Sequence, residues 1–329
     1  MNSNSNEVEA ITNALESAIT GIPTPIRKNF FKAFGQLCTA AVDIPVAWLE
    51  SQSAEIRALN EARIKLIKKE GEEFYNKTEV SAEYVAKASS KYASKIIKEQ
   101  LNLDEITLNA ANNLASDKVE DNQNVEVINE DWLNEFESHA RLKSSEDMKT
   151  IFGKILSGEI SNPGKFSIRT VKLISQLDNQ AAKLFQKLCS QTISINWGNV
   201  QDARVVSFNG SAATNSLGQY GLSFNELNIL QEYGLIITDY NSWRSYTYCI
   251  AHEGNTVATP FIYAYKKLGL IPTDKERYDK ELKLNGVTLT KAGRELLSII
   301  PVDEQPAYTV ALMEFFKAKH LTMVGVQNV

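Results

Sequence analysis

Apolar positions along this chain follow two periods, and the change between them organises it. Through 131–189 they recur at three- and four-residue spacing, as one face of a helix requires. Met148, Ile151, Phe152, Ile155 and Leu156 form one such stripe, with Ser144 and Asp147 ahead of it as a capping box. Asn162-Pro163-Gly164 breaks that helix. Ser167 then caps a stripe of Ile168, Val171, Ile174 and Leu177, and Asp178 caps a third, of Ala181, Leu184, Phe185 and Leu188. Beyond Cys189 the period shortens to alternation, and 193–197 and 205–208 read as strands. After a Gly/Ser/Asn-rich loop at 210–221 comes a second capping box, Ser223 with Glu226, on a helix that Tyr233-Gly234 closes. Runs at 235–240 and 245–250 predict a hairpin around Asn241-Ser242, and 257–263 a further strand. A strand at 286–289 leads into a helix capped by Thr290 and ended by Pro301, and a helix over 308–319 and a strand over 321–324 follow.

The N-terminal third is helical throughout. Its segments are 7–49, punctuated by Pro23, Pro25 and Pro45; a charged helix over 51–75; and 81–101, with Val85, Ala88, Tyr92 and Ile96 in register. Two antiparallel helices, or a coiled coil with a partner chain, satisfy these stripes equally. The run 117–131 is acidic and poor in large apolar groups, as a linker is. The expected organisation is an N-terminal helical region (1–116), an acidic linker (117–130), a central helical unit (131–190) and a winged-helix-like α+β domain (191–329). The fold class is mainly α with a smaller α+β part. The winged-helix expectation rests on the order of helix, Gly-Leu-Ile, hairpin, and then the helix beginning Leu289-Thr290.

Composition narrows the function. The 329 residues carry a net charge of −5, which gives no general attraction to nucleic acid or to an anionic membrane. Cys38, Cys189 and Cys249 are scattered among apolar neighbours, which fits a reducing cytoplasm better than a disulfide framework. The first residues lack a basic run followed by an apolar core, and no run of about 18 apolar residues occurs. The expected location is therefore cytoplasmic. One segment tests that expectation: 33–49, ending at Leu49, is apolar but contains Gln36, Asp43 and Pro45, and it follows a basic, aromatic stretch at 27–32 that includes Phe30. It reads as a buried helix pair hinged at Pro45, with membrane contact as the competing reading.

Candidate chemistry is thin. His139, His252 and His320 lie far apart and belong to no metal-ligand spacing, so no metal or cofactor is expected. The run GEISNPGKFS at 158–167 fails as a phosphate loop, because five residues rather than four separate its glycines and Phe166 follows Lys165. Asp274, Glu276 and Asp279 sit in a Lys-rich surface segment. Charge does change sign along the chain: after the acidic run come Lys154, Lys165, Arg169 and Lys172, around the one turn where a shape-determining break and exposed cations coincide. These four are the expected partner surface. Were the C-terminal part to bind DNA, Arg244, Lys291 and Arg294 would be the contacts, although the helix at 223–233 carries no basic residue.

The pattern D-W-x-x-x-F, S-x-x-x-M and I-L-S-G-E-I-x-x-P-G-x-F-S-x-R-T is carried here by Asp131, Trp132, Phe136, Ser144, Met148, 155–160, Pro163, Gly164, Phe166, Ser167, Arg169 and Thr170. In it the chain resembles a bacterial family, domain of unknown function 2806. The resemblance runs on to Leu289, Thr290, Gly293, Leu296 and Leu297. It implies a bacterial cytoplasmic setting and no established activity, and similar helical motifs occur in proteins of phage resistance by abortive infection. The expectation is a non-enzymatic interaction or regulatory protein with a protein partner, with phage defence as its setting and self-association open. A winged-helix DNA-binding regulator and a membrane-active effector are the alternatives.

Overall fold

Ile26, Phe30, Ala33, Phe34 and Leu37 turn inward along α1 (Thr24–Leu37), the first helix of the computed structural model, and all five are buried. The structure describes residues 24–38, 82–116, 126–197, 200–208, 210–211, 214–251 and 257–326. The chain divides into two compact units, Met1–Phe166 and Ser167–Val329.

The first unit adds α2 (Ala82–Ser116), α3 (Glu130–Ala140) and α4 (Glu146–Ser161) to α1. Its core is aromatic. Phe30 stacks on Phe34 at 4.1 Å, Trp132 on Phe136 at 5.1 Å, and Phe136 meets Phe152 at 5.5 Å. Each such ring, fully buried, contributes roughly 1.5–3 kcal/mol. Helices α2 and α4 approach closely because Gly153 has no Cβ; one added there would lie 2.6 Å from Cβ of Asn109. The buried Asn29 side chain accepts from Ile128 N (2.9 Å) and donates to the carbonyls of Glu126 (2.8 Å) and Ile160 (3.3 Å). Those bonds fasten the strand-like run before α3 to α1 and α4, and Asn129 then caps α3 by accepting from Trp132 N.

The second unit holds α5 (Ile168–Gln176), α6 (Asn179–Cys189), α7 (Phe224–Glu232), α8 (Lys291–Leu297) and α9 (Pro306–Ala318). Around them lie β1 (Ile193–Trp197), β2 (Val200–Val206), β3 (Ile236–Ile237), β4 (Trp243–Ser245), β5 (Phe261–Tyr263), β6 (Lys266–Pro272), β7 (Lys283–Leu289) and β8 (Leu321–Gly325). The sheet runs β3-β7-β2-β1-β5-β6-β8, with β4 also on β7, and all its named pairs are antiparallel. Val205 and Val287 are buried on one face of the sheet, and Ile193, Ile195, Val206, Phe261 and Tyr263 on the other. Tyr308 of α9 reaches that core, its hydroxyl accepting from Val206 N at 2.8 Å. Gly286 sits opposite Val206 at φ +152°, where an added Cβ would meet Val205 O at 1.9 Å, so only glycine fits.

The expected mixture of helices with a smaller α+β part therefore appears as helices plus an antiparallel eight-stranded sheet. Three local expectations differ. The region 131–190 is shared: α3 and α4 join the first unit, whereas α5 and α6 join the second, where their apolar faces meet α8 and α7. Asn241-Ser242 turns no hairpin. Both β3 and β4 pair with β7, at Ile236↔Leu289 and Trp243↔Asn285, so they form one interrupted strand whose bulge is tied down by Gly286 N donating to Ser242 O. Finally, α4 begins one residue later than its sequence suggests. Its N-cap is Ser145, without a side-chain bond, and Glu146 and Asp147 instead place negative charge in the first turn. The predicted helix at 51–75 and most of the acidic run lie outside the described residues.

Candidate functional site

The most recognisable motif in the sequence builds a turn. The Glu159 carboxylate, nearly fully buried, accepts from the backbone N–H of Gly164 (2.6 Å) and of Phe166 (2.9 Å), closing the Asn162-Pro163-Gly164 break. The Phe166 ring lies against Gly158, where a Cβ would meet it at 2.7 Å, and Trp132 Nε1 donates to Phe166 O at 2.7 Å. Trp132, Gly158, Glu159 and Phe166 thus interlock within the first unit. Lys154 and Lys165 belong to this unit too, Lys154 half-buried and Lys165 exposed with its ammonium 5.5 Å from the Phe166 ring. On α4 the buried Lys149 pairs with Glu105 and Glu146. Burial alone lowers an ammonium pKa, but the two carboxylates outweigh it and the net direction is upward.

Within the second unit, Ser167 and Thr170 serve α8. Glu295 accepts from Ser167 N (2.8 Å), Ser167 Oγ (3.1 Å) and Thr170 Oγ1 (2.5 Å). The same turn of α5 presents Arg169 and Lys172 outward. Together with Leu173 and Gln176 they line a cleft of about 440 Å³, which Glu232 and Tyr233 complete at the end of α7. Sequence alone explains how α7 ends there: Gly234 takes φ +72°, Gly234 N donates to Gln231 O and Leu235 N to Leu230 O, the double bond of a Schellman cap. A Cβ on Gly234 would stand 3.1 Å from Arg169 Nη2, so the guanidinium lies over the carbonyl end of α7, where positive charge is favoured.

Tyr233 is fixed from the other side. Its hydroxyl donates to Asp178 Oδ2 at 2.9 Å, and Asp178 Oδ1 accepts from Ala181 N at 2.7 Å as the cap of α6. The Ala181 N–H, and after it the Tyr233 hydroxyl, hold the Asp178 carboxyl below the usual carboxylate range. The hydrogen bond to Asp178 in turn raises the Tyr233 phenol. The cleft therefore offers two cations, an amide and an oriented phenol, with Glu232 as its one carboxylate. That set suits an acidic side chain or a mixed-charge segment.

Of the expected partner surface, then, α5 brings Arg169 and Lys172 together, while Lys154 and Lys165 stand in the other unit. The three alternative DNA contacts are spread over two elements. Arg244 is exposed on β4 opposite Leu284; on α8, Lys291 lies 3.8 Å from Glu295 and Arg294 donates to Leu289 O at 3.0 Å. His139 lies beside Glu135 on α3, His320 follows α9 at φ +56°, and His252 is outside the described residues. Among the described residues no group of three or more His, Cys, Asp or Glu is placed to hold a metal. The cysteine thiols are buried, and burial pushes Cys189 upward and Cys249 up to about 12. Phe34 of the apolar N-terminal segment and Phe30 just before it face the core, residues 39–49 lie outside the description, and no described helix is long and apolar enough to cross a membrane.

Sequence reasoning missed a buried ion pair. Arg204 donates through Nε (2.6 Å) and Nη2 (2.8 Å) to the two oxygens of Asp202, and through Nη1 to the carbonyls of Ser242 (3.0 Å) and Leu284 (2.6 Å). Tyr246 donates to the same carboxylate at 2.9 Å, and its phenol is raised well above the ordinary value by burial. The signal was present: Asp202 and Arg204 are two apart on a strand and so share a face. Every charge in the pair is satisfied, which marks it as a structural centre of the β2–β4–β7 corner.

These features define a two-unit α/β protein with an antiparallel sheet and a basic, Tyr-bearing cleft. Residues 86–313 match a family described as "Protein of unknown function (DUF2806)", and the chain belongs to that family. No curated protein and no solved structure matches it.

Proposed function

We infer that this chain is a non-enzymatic interaction or regulatory protein that captures an acidic segment of a protein partner in the α5–α7 cleft. One observation carries the reading: Arg169 and Lys172, one turn apart on the outer face of α5, line the same cleft as the fixed Tyr233 phenol. Cations are ordinarily dispersed and solvated. Here one lies over a helix C-terminus and both border a concave surface, which is how a carboxylate-bearing chain is gripped. The likeness of the helical motifs to proteins of abortive infection supports a bacterial cytoplasmic setting in phage defence. A photo-crosslinking residue at Gln176 in the native host, with one at exposed Lys275 as control, tests the site. The reading expects a single partner captured from Gln176 alone, through an acidic peptide. Equal capture from both positions would overturn it.

A second reading has its own observation. Trp243 and Arg244 are exposed on β4, with the Lys283 ammonium 4.8 Å from the Trp243 ring. A basic and aromatic patch between α7 and α8 suits a winged-helix-like contact with nucleic acid. This reading expects salt-sensitive retention on DNA that Arg244→Ala weakens; a chain that passes DNA unretained at low salt excludes it.

A further inference from the structure

A second cleft in the Ser167–Val329 unit has chemistry of a different kind. Across the sheet, Ile262 of β5, Ser194 of β1 and Ala203 of β2 are direct neighbours in one row, and Asn196 and Gln201 pair in another. This is the face that buries Val205 and Val287 further along β2 and β7, and Ser194 and Ala203 are too small to fill it here. Arg294, Leu297 and Ser298 of α8 line the space from the other side, leaving a cleft of about 360 Å³ with largely apolar walls. That volume lies within the usual range of small-molecule sites, roughly 300–1,000 Å³.

Its rim is held by strain. Ala264 and Tyr265, joining β5 to β6, take φ +46° and +62°, a turn that asparagine and glycine adopt readily and that alanine and tyrosine adopt at a cost. What repays the strain is Tyr265, whose hydroxyl donates to Ile300 O at 2.8 Å and accepts from Val302 N at 3.1 Å. The strained turn therefore clamps the loop after α8 at the cleft mouth, where Tyr265 and Val302 both line it.

The charge in this cleft is lopsided. Asp202 borders it, but its carboxylate is neutralised by Arg204. Arg294 is partly buried, gives one bond to Leu289 O, and forms no ion pair among the described residues. A partly buried guanidinium among apolar walls is stabilised by an anion that shares its dry surroundings. We propose that this cleft binds a small organic acid, with a flat apolar body on the Ile262-Ser194-Ala203 floor beneath Leu297 and a carboxylate on Arg294.

The test uses the full chain with 2-naphthoate as probe and 2-naphthamide as its uncharged counterpart, followed by calorimetry and by chemical-shift changes at the cleft. The native protein is expected to bind naphthoate saturably and to prefer it over the amide. Arg294→Gln keeps the helix and is expected to weaken naphthoate roughly tenfold or more and to abolish the preference. Ser194→Leu, which fills the floor from its solvent side, is expected to lose both probes while circular dichroism stays native. The proposal is overturned if naphthoate shows no saturable binding to the native chain, or if Arg294→Gln binds it as tightly as the native chain does. Shifts that map away from the cleft overturn it as well.

Discussion

Single residues in this protein carry tasks their sequence positions conceal. Glu159 lies among the apolar residues of a helix end, yet its carboxylate replaces the hydrogen bonds that two N–H groups of the Gly164–Phe166 turn would otherwise lack. Glu159→Ala is expected to destabilise the fold by about 3 kcal/mol, and Glu159→Gln, which keeps one acceptor oxygen, by less; chemical denaturation reads both. Asp178 gives the pH dependence. Its folded pKa is depressed, so its contribution is fully present above the unfolded carboxylate value of about 4 and is lost as pH falls through the lower folded value. Tyr233→Phe removes one of the bonds that lower it, so the variant should have a smaller contribution to lose and level off at a higher pH than the native chain, visible in thermal melts taken from pH about 5 down to 2. Lys149 acts in the opposite sense, its raised pKa making its contribution vanish only as pH rises beyond the ordinary lysine range.

At the level of elements, cap chemistry was legible and pairing was not. Ser167, Asp178, Ser223 and Thr290 each accept the backbone N–H that their positions implied, because a cap depends on residues within one turn. Ser223→Ala should therefore cost about 1 kcal/mol by removing half of a reciprocal box, whereas Ser145→Ala, whose side chain makes no cap bond, should cost only a few tenths; paired denaturation curves decide. Strands fared differently. β6 reads in sequence as Lys-Lys-Leu-Gly-Leu-Ile-Pro, with no clean alternation, and becomes a strand through its partners β5 and β8. β8 arrives some fifty residues later in the chain, a separation that local pattern cannot register. The absent hairpin has the same origin: Ile236 and Trp243 find a better partner in β7 than in each other. For the candidate site, Arg169 and Lys172 could be singled out by charge alone, but Glu232 and Tyr233 could not, since only the packing of α5 near the end of α7 makes the four one surface.

For the whole chain, charge and local surface pull in opposite directions. The net charge of −5 repels an acidic partner at long range, while the α5 cations attract it at contact. Beyond a Debye length of about 8 Å at physiological salt only the contact term survives. Binding should thus hinge on two side chains rather than on overall charge. The measurement that decides is the affinity of the Gln176-captured partner for the native chain and for the R169E/K172E variant, at low salt and at about tenfold higher salt. The proposed interaction predicts at least a tenfold loss on charge reversal, measured below the melting transition of both proteins, and a salt dependence that the variant no longer shows. Equal affinities for the two proteins at both salt concentrations would contradict it.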